Sequence, residues 1–295
     1  KESAASLLKI PSPYPLSKEG GPDPDREALE KALAHARKNG VTSVQHLNGN
    51  QNLLQTIKDE GGLTARVTFG LWLTDNLKQL QAYDSIRTAY PPENNWLRAG
   101  YLKGFIDGTL GSGTALMFEP FEDDPSTSGL PQMSYEELER RVVTADSMEF
   151  QIGIHAIGTR ANTWILNAYA EAIKQNGRRD SRHRSEHAQL LVDEDITRFG
   201  DLGVVASMQP THCITDKRFA QKRIGLERCR GAYAWQRLLD AGAHIAFGTD
   251  WPVEPLNPME GLYAAVTRKD RQGEEGEGWF PSQKLSMEKA IELYT

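Results

Sequence analysis

Residues 150–187 read FQIGIHAIGTRANTWILNAYAEAIKQNGRRDSRHRSEH, and this stretch decides the fold. Phe150 to His155 is a short apolar run that closes on a histidine. Ala161, Trp164, Ile165, Ala168, Tyr169, Ala172 and Ile173 then step by three and one, the spacing of one helical face. Arg182 to His187 is a second short run, again closing on a histidine. Strand, helix and strand in this order imply two parallel strands joined by a crossover helix.

The same alternation extends in both directions. Upstream, strands are expected at Thr42 to Leu47, Ala65 to Leu73 and Leu97 to Phe105. Downstream they are expected at Gly203 to Met208 and His244 to Gly248. Between them lie helix signals. Ala28, Leu29, Ala32, Leu33 and Ala36 form one stripe, with Asp25 as a cap and Gly40 as a stop. Leu53 to Glu60 is a short helix. Ser134 with Glu137 makes a capping box for a helix to about Met148. Asp193 starts another, a further one falls around Ala232 to Ala241, and Asn257 with Pro258 opens the next.

Seven strands separated mostly by helices imply a parallel sheet with helices outside it. A doubly wound sheet is the competing arrangement, but no glycine-rich phosphate loop follows an early strand. Instead Lys103, Asp107, His155, His187, Gln209, His212 and Asp250 follow several different strands. A (β/α)₈ barrel builds its active site from such positions. The expectation is an α/β fold, a TIM-type barrel one strand short, with one catalytic domain over residues 1–295. An incomplete barrel has unpaired edges, and residues 1–16, with Leu7, Leu8 and Ile10, are expected to cover part of the gap unless a second copy does.

Composition narrows the function. The 295 residues are 39% hydrophobic and carry a formal charge of −6. That balance suits a globular chain and gives no electrostatic case for nucleic acid or anionic lipid. No run approaches the roughly 18 apolar residues of a membrane helix. Cys213 and Cys229 are too few for a disulfide framework, so a reducing, cytoplasmic setting is expected. The chain starts without Met and stops at Thr295 inside a helical pattern, which reads as a piece of something longer.

Taken singly, a histidine at a strand end is an ordinary hydrogen-bonding residue, an aspartate a helix cap and a lysine a surface charge. Together, His155, His187 and Asp250 offer two imidazoles and a carboxylate to one barrel mouth, a set that suits Zn²⁺ or a similar divalent ion. Such an ion lowers the pKa of its water, and a nearby aspartate can move the proton to a leaving amine. Lys103 is no ligand as an ammonium, but becomes one if CO₂ carbamylates it. By period two His183 shares the face of His187, deeper in the barrel, as a packed or supporting histidine. Glu186 then points the other way, towards a charge behind the sheet.

Six strings carry a resemblance: KGFIDGTLGS (103–112), IHAIGTRAN (154–162), RHRSEHAQ (182–189), SMQPTH (207–212), GTDWPV (248–253) and AIELYT (290–295). In this order they resemble amidohydrolase family 3 of the amidohydrolase superfamily, which includes N-substituted formamide deformylase. Residues 1–50 fit more loosely. The resemblance implies a metal-dependent hydrolase of amide-type C–N bonds on a (β/α)₈ barrel, with a small-molecule amide as substrate. It implies His155, His187, Asp250 and a bridging Lys103 as metal ligands, with Asp250 also shuttling protons. His212, Arg160 and Asp107 are implied to face the substrate. The chain departs from the family pattern where Thr159 replaces the usual Asp and Gly113 the usual Arg. It also has no His-x-His pair and no flanking β-sandwich, so half of a two-metal site is lacking. Weak metal binding and a mostly unmodified Lys103 are therefore expected. The competing reading is an inactive barrel fragment that self-associates, as a homo-oligomer, or binds another chain through its open edge. A phosphoester hydrolase on the same scaffold is a third.

Overall fold

A computed structural model describes residues 24–47, 50–273 and 276–295. Its centre is a seven-stranded sheet: β1 (Ser43–His46), β2 (Arg66–Trp72), β3 (Leu97–Phe105), β4 (Ile152–Ala156), β5 (Arg184–His187), β6 (Val205–Met208) and β7 (His244–Phe247). Every pairing is parallel, and the spatial order is the chain order. A doubly wound sheet reverses its order at a switch point. Sequential order with crossovers of one hand puts the helices on one face and curls the sheet. The curl appears in one hydrogen bond: Arg184 Nη1 on β5 donates to Gln45 Oε1 on β1 at 3.1 Å, across the interior. Among the described residues β1 and β7 have no strand on their outer edges. The chain thus forms the expected α/β barrel, curled and incomplete. The expectation for residues 1–16 lies outside the described residues.

The helices are α1 (Pro24–Lys38), α2 (Gln51–Asp59), α3 (Leu77–Ala89), α4 (Tyr135–Ser147), α5 (Thr159–Asn176), α6 (Asp193–Leu202), α7 (Pro210–Arg228), α8 (Trp235–Asp240), α9 (Pro258–Thr267) and α10 (Met287–Tyr294). Local chemistry explains several ends. Gly40, at φ +71°, stops α1 as its N–H reaches Arg37 O and Val41 N–H reaches Ala36 O, the paired bonds of a glycine stop. Ser134 Oγ accepts Glu137 N–H at 3.2 Å to open α4, and Asn257 Oδ1 accepts Met259 N–H at 3.1 Å to open α9. Asp25 lies inside α1 rather than capping it. Helices α3 and α7 have no counterpart in the sequence reading. In α3 only Leu80 is buried, so there is no apolar stripe to read. In α7 the turn breaks at Gly225, φ +76°, which splits its pattern.

The main core lies between sheet and helices and includes Ile152, Ile154 and Ala156 of β4 with Ile165, Ala168 and Tyr169 of α5. A smaller one packs Leu33, Leu54, Ile57, Val67, Phe69 and Leu97 under β1 and β2. Among the described residues, no helix is long and apolar enough to cross a membrane.

Strand β5 corrects the sequence reading. Arg184 and Glu186 face the interior and pair through Arg184 Nε to Glu186 Oε1 at 2.7 Å. Gly153 leaves the room, since a Cβ there would lie 2.6 Å from Glu186 Oε1. His183 instead faces the helices. Its Nε2 meets Asp146 Oδ1 of α4 at 3.0 Å, and its ring stacks on Tyr169 of α5 at 4.7 Å. Ser185 also faces outward, donating to Asn162 Oδ1 of α5 at 2.8 Å. The alternation was mis-phased because it was counted from His187. That residue has φ +78° and Ala188 has φ +42°, so the backbone turns at the strand end and carries the imidazole to the mouth.

Candidate metal centre

The C-terminal ends of the strands bring separate segments to one place. His187 ends β5, His212 lies in the first turn of α7, and Asp250 lies three residues past β7. One donor atom from each falls within 4.8 Å of the others. His212 Nε2 stands 3.9 Å from Asp250 Oδ2. The His155 and His187 rings meet at 4.6 Å between centroids, and those of His187 and His212 at 5.8 Å. Lys103 is buried on β3, with its Nζ 4.5 Å from the Phe105 ring centroid. Burial pushes its ammonium down to about 8, partly opposed by the charges of Glu186 and Asp250.

Hydrogen bonds fix which nitrogen of two imidazoles is free. His187 Nδ1 lies 2.7 Å from Gln209 Oε1, while Gln209 Nε2 donates to Ser207 O at 3.2 Å. The amide is thus oriented with its oxygen towards the imidazole. Nδ1 carries the proton, and Nε2 keeps the lone pair. His155 is set the other way: Nε2 lies 2.8 Å from the Gly108 carbonyl, so Nε2 donates and Nδ1 is free. Burial is the main cause that pushes the pKa of His155 and His212 down to about 4 and that of His187 well below its usual value. All three are neutral donors near pH 7. Burial likewise raises Asp250 to about 6, with Lys103 acting in the opposite direction.

These residues fit a divalent ion. Among the described residues, buried His212 Nε2 has no hydrogen-bond partner, an arrangement that costs roughly 1–3 kcal/mol unless something satisfies it. Two neutral imidazoles and a carboxylate suit zinc-like ions. His187 and Asp250 also share an unusual backbone, at φ +78° and +56°. Non-glycine residues hold that conformation at some cost, and such positions cluster at functional sites.

Asp107 and Arg160 lie close by but are engaged elsewhere. Asp107 is buried and accepts three backbone N–H groups, from Leu116 at 2.8 Å, Ile157 at 3.0 Å and Gly158 at 2.8 Å. Burial pushes its carboxyl up to about 7, against those three donors. Its Oδ1 also lies 3.5 Å from His155 Nε2. Arg160 donates to Phe118 O at 3.1 Å and sits 5.4 Å over the Phe118 ring. Thr159 Oγ1 accepts Phe118 N–H at 3.2 Å. Sequence reasoning placed Gln209 at a strand end without a role, and the available signal was its position directly after β6. The inward Arg184–Glu186 pair had no readable signal once β5 was mis-phased.

A sequentially wound parallel barrel with nitrogen and oxygen donors gathered at the strand C-termini defines a class of mouth-centred, cation-binding barrel proteins. Residues 13–295 match the model of the amidohydrolase family, and the chain belongs to that family. It is 41% identical over 199 residues to Protein LONG AFTER FAR-RED 3 of Arabidopsis thaliana, covering 67% of this chain and 34% of that one. It is 25% identical over 222 residues to the N-substituted formamide deformylase of Arthrobacter pascens, covering 75% of this chain and 40% of that one. An uncharacterized metal-dependent hydrolase from Pyrococcus furiosus superposes with a TM-score of 0.77 at 30% identity, over 92% of this chain and 54% of that one. The chain therefore spans a third to two fifths of the length of these two sequence relatives.

Proposed function

We propose that this chain supplies the cation-binding and proton-moving part of a hydrolase that cleaves amide-type C–N bonds with water. The observation that carries the reading is the convergence of His187, His212 and Asp250 from three segments to within 4.8 Å. The likeness to a formamide deformylase supports the bond type. A bound divalent ion, zinc foremost, would polarise the scissile carbonyl and make water nucleophilic near neutral pH. His187 through Nε2, His212 through its unpartnered Nε2 and Asp250 through a carboxylate oxygen would hold the ion, with His155 Nδ1 a further nitrogen donor beside His187. Lys103 stands beside them, as an ammonium or as a carbamate. Asp250 takes the proton from the attacking water and returns it to the leaving nitrogen. His212 would also face a substrate at the mouth, and Arg160, held over Phe118, would flank it. The buried Asp107 holds the backbone beneath His155. A panel of N-formyl compounds, simple amides and phosphate esters, assayed with metal analysis, tests the reading. Turnover of amides that tracks bound metal supports it; turnover of phosphate esters alone overturns it.

A second reading is self-association of the open barrel. It is favoured by β1 and β7, whose outer edges carry no strand among the described residues. Native mass spectrometry decides it: a dimer supports the reading, and a monomer at micromolar concentration rejects it.

A further inference from the structure

Trp72 and Phe105 end β2 and β3 at the mouth, and both are exposed, at 49% and 36%. Their rings meet at 6.1 Å between centroids. Phe105 pairs in register with His155, and those rings meet at 5.2 Å. The two aromatics therefore form a wall that runs without a break into the histidines of the candidate centre. Single exposed apolar side chains need no explanation. A joined aromatic pair beside convergent polar groups is the composition of a ligand site. Its charge surroundings narrow the ligand. Lys103 Nζ lies 4.5 Å from the Phe105 ring centroid, so with Lys103 as the unmodified ammonium a cationic substituent placed there meets a like charge. The polar part of the mouth includes His212 and Asp250, 3.9 Å apart.

We infer that Trp72 and Phe105 form a subsite for a neutral, flat apolar group, an aryl ring foremost, carried close to the scissile amide. This rests on the hydrolase reading and names its substrate class. Offset and edge-on ring contacts favour an aryl group over a small alkyl group of equal charge.

The experiment measures dissociation constants of N-phenylacetamide and N-methylacetamide for the 295-residue chain by ligand-observed NMR, without turnover. The unaltered chain is expected to prefer the phenyl compound by roughly ten-fold. Trp72→Ala and Phe105→Ala should remove most of that preference, while Trp72→Phe should keep most of it. Phe105→Leu preserves apolar bulk without a flat face and should behave like Phe105→Ala. Melting curves of each variant exclude unfolding as the cause. A preference that survives both alanine variants overturns the subsite. Equal binding of the two amides by the unaltered chain also overturns it and leaves the hydrolase reading standing. Binding of neither amide overturns both.

Discussion

At the scale of the residue, Gln209 shows how much of the centre depends on groups beside the donors. Its Oε1 holds the proton of His187 on Nδ1 and so frees Nε2. Gln209→Ala should weaken zinc binding about 10- to 100-fold, the usual loss when an imidazole loses its orienting partner. Competition against a chromophoric chelator measures it, and an unchanged constant would remove Gln209 from the centre. Asp107 gives a second test. Its carboxylate satisfies three buried N–H groups, so Asp107→Asn places an amide among donors and should cost about 2–4 kcal/mol of stability. Chemical melts check this; a residue that only touches substrate would leave the midpoint in place. The placing of His155, His187, Lys103 and Asp250 at or just past strand ends was legible from the apolar runs before them, whereas the gathering of His212 with His187 and Asp250 was not. Nor were the hydrogen-bond partners that set each imidazole, because tautomers depend on atoms brought together only by folding.

At the scale of the element, α5 has no side-chain cap at its N-terminus. Its orphan donors are satisfied from outside: Leu116 O accepts the N–H groups of Arg160 and Ala161, and Asp107 takes those just before the helix. This contact is so close that a Cβ on Gly158 would lie 2.0 Å from Leu116 O. Gly158→Ala is expected to destabilise the chain by about 3 kcal/mol, read from the urea midpoint. On the outer side, α4 is tied to β5 through Asp146. Burial works against the charge of this carboxylate. Hydrogen bonds from His183 and Asn176 and the Arg179 charge at 2.6 Å outweigh it and hold the carboxyl at about 2. Burial keeps His183 itself on the neutral side, so Arg179 is the countercharge. A folded pKa below the unfolded value of about 3.9 stabilises above that pH and is lost as pH falls towards the folded value. Asp146→Ala should therefore lower stability by about 2 kcal/mol at pH 7, with the gap closing between pH 4 and pH 2. An equal gap at both pH values would contradict it.

The strands were readable from apolar runs closed by polar residues, and the amphipathic helices from their stripes. Helix α3 was not, since a helix with one buried residue leaves no period to find. The face of Glu186 was misread for a different reason. A positive φ at His187 is invisible to a rule that assumes strict alternation.

At the scale of the whole molecule, one chain-ordered parallel sheet explains why residues from Lys103 to Asp250 share a mouth although 147 positions separate them. Curling also buries a polar interior. Arg184, Glu186 and Gln45 meet inside rather than at the surface, beneath the donors of the centre. With the donors this chain offers, an ion is expected to be held weakly, and Lys103 is expected to be mostly unmodified in the intact mass. The most direct test of the centre is a zinc titration of the 295-residue chain after dialysis against chelator, repeated on His187→Ala. One saturable ion per chain at micromolar affinity, lost in the variant, is the expected result. No saturable binding, binding indifferent to His187, or two ions that survive dialysis would contradict it.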